Sequence, residues 1–186
     1  VPGARSVVTL LYNHHNPVKP SDAAAPRISQ YAYGEDYHRV IKRKLRGLVQ
    51  WMEREIGAVE GRVFVDSAPV LERAWARRSG TGWVGKNGML IHPKAGSYFF
   101  LAEFISDLDL EPDGPMKDYC GTCRACMDAC PTDAIPEPYQ VDGSRCISYL
   151  TIELREASLP EPFRGQMENW AFGCDICQEV CPWNRF

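Results

Sequence analysis

Long apolar runs are missing from this chain of 186 residues, so no membrane-spanning helix is expected. No apolar leader segment is visible either, and with 45% hydrophobic residues a real core can form. Both points argue against a small secreted domain held by disulfides. An excess of charge is also lacking: 21 basic residues face 24 acidic ones, so overall charge does not announce nucleic-acid binding and only a local patch could supply it. Histidine is scarce, at four, and His14, His15 and His92 have no partner at zinc-binding spacing. The chain starts at Val1 and stops just after a cysteine run, so both ends read as cuts within a longer protein.

What the sequence does have is cysteine, eight in all. Seven fall in two runs, Cys120-x-x-Cys123-x-x-Cys126-x-x-x-Cys130-Pro131 and Cys174-x-x-Cys177-x-x-x-Cys181-Pro182, with Cys146 alone between them. In this spacing three thiolates wrap one [4Fe–4S] cube, and the fourth, beside a proline, reaches to the other cube. Cys120, Cys123, Cys126 and Cys181 are therefore expected on the first cluster, and Cys174, Cys177 and Cys130 on the second. Ala171 stands where the second run would need its leading cysteine, and Cys146 is the natural replacement. Structural zinc explains a third thiolate at the same spacing followed by Cys-Pro poorly. Thiolates that must stay reduced during cluster assembly place the chain in the cytoplasm.

The remaining pattern mixes strands and helices, giving an α/β or α+β class. Ser6–Tyr12 reads as a buried strand, followed by a loop through Pro17, Pro20 and Pro26. Val40, Ile41, Leu45, Leu48, Val49, Met52 and Ile56 share one helical face, which Gly57 ends, while Lys42, Arg43, Lys44 and Arg46 crowd the other. Gly61–Asp66 reads as a second strand, and Pro69 as the start of a helix through Leu71, Trp75 and Ala76. A Gly-rich turn, residues 80–88, leads to a short strand over Met89–His92, and a further apolar segment covers Ser97–Ile105. Residues 1–112 are expected to form one domain and 113–186 a smaller cysteine-bearing one. A two-cluster electron carrier needs only about 55–80 residues, so the long preceding segment suggests that the clusters feed a reaction centre.

Asp66 is the leading candidate for that centre. It ends a predicted strand, where open α/β sheets place ligands, and Val65, Ala68 and Pro69 around it favour a partly desolvated carboxyl group able to donate a proton. From the residues alone a helix cap explains Asp66 as well. The turn holding Lys86 and Asn87 departs from the phosphate-loop pattern, because Asn87 stands in the Ser/Thr place; it reads as a cofactor-wrapping turn or a plain loop. Asp36-Tyr-His38 begins like a D-x-H-x-x-G cobalt-ligand motif, but Ile41 replaces its glycine. Arg39–Arg46, with Arg73, Arg77 and Arg78, reads equally as an RNA-facing patch or a solvated face.

Taken together, Tyr31-Ala-Tyr-Gly34, Asp36-Tyr-His38, Asp66-Ser-Ala-Pro-Val-Leu-Glu-Arg73, Gly80-Thr-Gly-Trp-Val-Gly-Lys-Asn87, Ser97-Tyr-Phe-Phe100 and Cys146-Ile-Ser-Tyr-Leu-Thr151 closely resemble the epoxyqueuosine reductase family, in family order. The resemblance implies a nitroreductase-like cobalamin-binding domain carrying a ferredoxin-like module with two [4Fe–4S] clusters. It implies base-off cobalamin without a protein histidine ligand, and Asp66 as the proton donor with Arg73 in the same pocket. It further implies cofactor contacts from Ser29, Tyr31, Lys86, Asn87, Leu90, Phe100 and Ser148. The partners it implies are the anticodon loop of tRNA carrying epoxyqueuosine and an external low-potential electron donor, around a monomer. Cobalamin-dependent reductive dehalogenases and plain two-cluster electron carriers are the competing classes.

Overall fold

The computed structural model describes residues 1–18, 21–22 and 24–185, so Pro20 of the expected proline-rich loop lies outside the described residues. In chain order its elements are β1 (Ser6–Asn13), β2 (Arg27–Ile28), α1 (Tyr37–Ile56), β3 (Gly61–Phe64), α2 (Glu72–Arg78), β4 (Trp83–Val84), β5 (Leu90–Ile91), β6 (Phe99–Ser106), α3 (Ala125–Asp128), α4 (Ile147–Ile152), β7 (Trp170–Phe172) and α5 (Ile176–Glu179). None of the helices among the described residues is long and apolar enough to cross a membrane.

Two compact units interleave along the chain. The first comprises residues 1–13, 34–83 and 99–117, the second 14–33, 84–98 and 118–186. A single cut after residue 112 therefore differs from the observed division, because 14–33 and 84–98 fold with the cysteine segments.

In the first unit β6 lies between β1 and β3 and is antiparallel to both. The α+β half of the expected class is the one realised, and the strand-end argument drawn from open α/β sheets does not apply here. Successive residues of a strand face opposite sides, and the two faces of this sheet differ in character. Leu10, Tyr12, Val63, Phe100 and Ala102 pack against Ile41 and Leu45 of α1. Thr9 and Glu103, direct partners across β1 and β6, occupy the other face, where Thr9 bonds Ser79 at the end of α2. Asp36 caps α1 by accepting the His38 N–H at 2.9 Å, and Gly57 (φ +94°) ends it. At Gly61 a Cβ would lie 2.6 Å from the Ile105 carbonyl oxygen, so only glycine fits where β3 starts beside β6.

The second unit is built around short elements. β2 and β7 pair in parallel, and β4 and β5 form a hairpin closed by the Gly85 N–H on the Met89 carbonyl at 2.8 Å. The two cysteine runs fold alike. The Arg124 carbonyl accepts from Met127 and Asp128 N–H, and the Asp175 carbonyl accepts from Gln178 and Glu179 in the same pattern. One constant offset relates Cys123, Cys126 and Cys130 to Cys174, Cys177 and Cys181, and it sets Ala171, in β7, opposite Cys120.

Candidate functional site

The backbone of Asp66 has φ +52°, a left-handed conformation that costs energy for a residue other than glycine. Around it the chain makes tight turns: Ser67 N–H to the Val65 carbonyl at 2.6 Å, Ala68 to Asp66 at 2.7 Å and Val70 to Ala68 at 2.7 Å. The strand thus stops at Phe64, and α2 begins only at Glu72, with Leu71 as its N-terminal residue and no side-chain cap. This corrects the helix start expected at Pro69 and removes the capping role for Asp66. Glu72 is the reason: its Oε1 accepts the Asp66 N–H at 2.6 Å, tying the loop back on itself before the helix begins.

The Asp66 side chain is 61% exposed, which corrects the expectation of a desolvated carboxyl group. Its Oδ2 accepts the Tyr37 hydroxyl at 2.9 Å and lies 3.1 Å from His38 Nε2. His38 Nδ1 lies 2.8 Å from Asp36 Oδ1, so both ring nitrogens face carboxylates. Tyr37 stacks between the His38 ring, at 4.0 Å, and the Phe100 ring, at 4.1 Å and 9°. Phe100 is thereby joined to Asp66 through Tyr37, and Arg73 follows Glu72 in α2. Nothing in the sequence ties Tyr37 or His38 to Asp66, which lies 29 and 28 residues further along the chain.

Beneath this loop lies an acid that no motif marked. Glu103, at the centre of β6, is fully buried; no N–H or hydroxyl among the described residues donates to its carboxyl oxygens, and the group it meets is the Glu72 carboxyl. Burial first, and then the neighbouring Glu72, push its pKa up to about 8. Glu72 is raised as well, chiefly by burial, while the bond from the Asp66 N–H opposes the shift.

In the second unit Cys120, Cys123, Cys126 and Cys181 line one cleft together with Lys86, Asn87, Ile91, Pro182 and Trp183. Lys86, only 7% exposed, donates from Nζ to the Gly121 carbonyl at 2.7 Å and the Cys123 carbonyl at 2.8 Å. Asn87 Nδ2 donates to the Cys177 carbonyl at 3.2 Å. Their side-chain donors therefore hold the cysteine loops. Burial raises the thiols of Cys126, Cys177 and Cys181, and pushes Cys174 up to about 12. Charge interactions add to this: Cys126 feels Cys181, Cys120 and Cys123, Cys174 feels Cys146, Asp175 and Cys130, and Cys177 feels Cys174, Cys146 and Cys126. Buried thiols of this kind ionise readily only beside positive charge, which an iron cluster supplies.

Of the other expected contacts, Ser29 is buried and donates to Asp175, whose second oxygen accepts the Gln30 N–H at 2.8 Å. Gly173 (φ +68°) lets the chain pass Ser29 directly before Cys174; a Cβ there would lie 2.5 Å from the Ser29 Cβ. The ring of Tyr31 lies 6.2 Å from that of Phe172. Leu90 is buried in β5, and Ser148 is half-buried in α4. The structure thus brings Asp66, Arg73 and Phe100 into one unit and Ser29, Tyr31, Lys86, Asn87, Leu90 and Ser148 into the other.

Residues 1–67 match a family model described as epoxyqueuosine reductase QueG, DUF1730, and residues 119–184 match a 4Fe-4S double cluster binding domain. The epoxyqueuosine reductase of Leadbetterella byssophila is 63% identical over 186 residues, covering all of this chain and 61% of that protein. The chain spans about 60% of the length of such relatives. A crystal structure of an epoxyqueuosine reductase with an epoxyqueuosine-modified tRNA-Tyr stem loop superposes with TM-score 0.88 at 37% identity, over 99% of this chain and 50% of that one. The Bacillus subtilis enzyme, solved with its catalytic aspartate loop swung out of the active site, gives TM-score 0.87 at 36% identity over 100% of this chain and 50% of that one. A catabolic reductive dehalogenase is 20% identical with TM-score 0.65, covering 97% of this chain and 26% of that one, and shares the fold alone. The carrier reading does not account for the first unit, and the likeness to epoxyqueuosine reductases runs from the first residues through the last cysteine run.

Proposed function

We propose that this chain forms the catalytic and electron-delivery part of an epoxyqueuosine reductase, which converts the epoxide of epoxyqueuosine at the tRNA wobble position to the alkene of queuosine. The observation that carries the reading is the Asp66 constellation: an accessible carboxylate within an Asp-Ser-Ala-Pro-Val-Leu-Glu-Arg block, touched at one oxygen by Tyr37 and His38. Removing the epoxide oxygen as water takes two electrons and two protons. Asp66 is suited to deliver a proton to the departing oxygen, and His38, facing the same Oδ2, is placed to replace it.

The donor set of the second unit fits two [4Fe–4S] clusters. Cys120, Cys123, Cys126 and Cys181 would hold the first, since they surround a cleft rather than converge on a point. Cys130, Cys146, Cys174 and Cys177 would hold the second, in line with the charges felt by Cys174. Cobalamin, when bound, supplies low-potential electrons to the substrate. Base-off binding without a protein ligand fits His38, whose two ring nitrogens are both engaged by carboxylates. Residues proposed toward it are Asp66, Arg73 and Phe100 of the first unit and Ser29, Tyr31, Lys86, Asn87, Leu90 and Ser148 of the second. An external low-potential donor would reduce the clusters of a monomer in the reducing cytoplasm.

A tRNA partner follows from the same reading, with the modified base flipped out of its stack to reach an acid held by the protein. In the full-length protein Asp66→Asn keeps the size and one acceptor of the side chain but not its proton. Turnover of epoxyqueuosine-bearing tRNA is expected to be lost while iron, sulfide and cobalamin content stay at wild-type levels. Wild-type turnover by the variant would remove the acid role.

A further inference from the structure

Glu103 presents an unsolved electrostatic problem within the first unit. An ionised carboxylate with no solvent exposure and no donor costs several kcal/mol or more, so such a group neutralises unless something offsets its charge. The groups around it offer nothing positive from the sheet: its cross-strand partners are Thr9 of β1 and Phe64 of β3. The hydroxyls on that face are already committed to one another, Thr9 to Ser79 and to Thr81 at 2.9 Å, and Ser79 to Thr81 at 2.7 Å. From α2 comes Glu72, a second acid, with Arg73 beside it in sequence. Glu72 itself spends Oε1 on the Asp66 N–H at 2.6 Å, a short bond of the kind a charged acceptor makes.

We propose that Glu72 and Glu103 are positioning residues that share a single proton beneath the Asp66 loop, Glu103 remaining neutral while the Glu72 carboxylate clamps the Asp66 N–H and holds that residue in its left-handed conformation. Two carboxyl groups that bear on one another do not both ionise where one has neither water nor donor, and putting the proton on the fully buried member leaves the charge where a donor meets it. The clamp offsets the strain at φ +52°. Its importance for turnover rests on reading Asp66 as the acid of the reaction; the clamp itself does not.

Two measurements on the full-length protein, prepared without oxygen, test the pair. Infrared difference spectra at neutral pH between wild type and Glu103→Gln are expected to show a protonated-carboxyl stretch that the variant lacks; no such band overturns the shared proton. Amide exchange at Asp66 is expected to quicken about tenfold in Glu72→Ala and to be largely restored in Glu72→Gln, which keeps an oxygen acceptor. Unchanged exchange in Glu72→Ala overturns the clamp. Neither readout depends on turnover. If Asp66→Asn keeps full activity while the band and the protection are present, the acid assignment fails and the proton-sharing pair stands.

Discussion

The ammonium group of Lys86 lies 2.8 Å from the carbonyl oxygen of Cys123 and 2.7 Å from that of Gly121, inside the cleft formed by four cysteines. A buried Lys is rare unless its charge is answered. Here two carbonyl dipoles answer it in the bare protein, and an anionic thiolate-bound cluster would add to them. Lys86 thereby joins the Gly-rich turn to the first cysteine run within one unit.

Replacing Lys86 by Met keeps the length of the side chain and removes the charge. It leaves two carbonyls without their donor, at about 1–3 kcal/mol each. Loss of positive charge beside the first cluster should also lower its reduction potential. The expected result is fewer irons per chain, falling from about eight toward about four, with a more negative potential for any first cluster retained. Iron and sulfide assays with potentiometric EPR check both.

The two sets of thiols should be separable. Cys181→Ser is expected to remove the first cluster and Cys146→Ser the second, each leaving about four irons per chain with the spectrum of the other cluster intact. A Cys146 variant that retained about eight irons would show that another group completes the second site.

Tyr37 and His38 converge on one oxygen of Asp66, so removing either should misplace the acid without disturbing the metal sites. Tyr37→Phe and His38→Gln are each expected to lower kcat by about ten- to a hundredfold, with smaller effects on KM. Single-turnover kinetics of the full-length protein distinguish this from a loss of tRNA binding.

Glu103 gives stability a pH dependence of unusual sign. Its folded pKa, about 8, lies above the ordinary carboxyl value of 4.5, so the native state holds a proton that the unfolded chain has lost between those limits. Stability from this group is fully present below about pH 4.5 and is lost as pH rises through about 8, by on the order of 5 kcal/mol. Glu103→Gln should flatten that fall, matching wild type near pH 5 and exceeding it near pH 9. Urea unfolding midpoints across this range provide the check.

Much of the cysteine-bearing unit was legible in the chain, because three ligands spaced within a turn or two can reach one cube whatever the rest does. The folded hydrogen-bond pattern repeats where the cysteine pattern repeats, around Arg124 and Asp175. The apolar face of α1 was equally legible through Ile41 and Leu45, since a helix of 20 residues must bury one stripe. The start of α2 was not. Pro69 satisfies the local rule for opening a helix, but a bond from Asp66 N–H to Glu72, six residues on, delays it.

Local spacing alone therefore pointed these sulfurs to iron clusters, in keeping with the 4Fe-4S double cluster match over residues 119–184, and the Asp-Ser-Ala-Pro-Val-Leu-Glu-Arg block marked Asp66. Only the tertiary structure decided what Asp66 touches and what lies under it. Tyr37, His38 and Glu103 stand far from Asp66 in sequence and meet its loop because the antiparallel sheet carries α1 on one face and α2 on the other. A pairing across a sheet depends on strand register and burial, neither of which a short stretch of residues records.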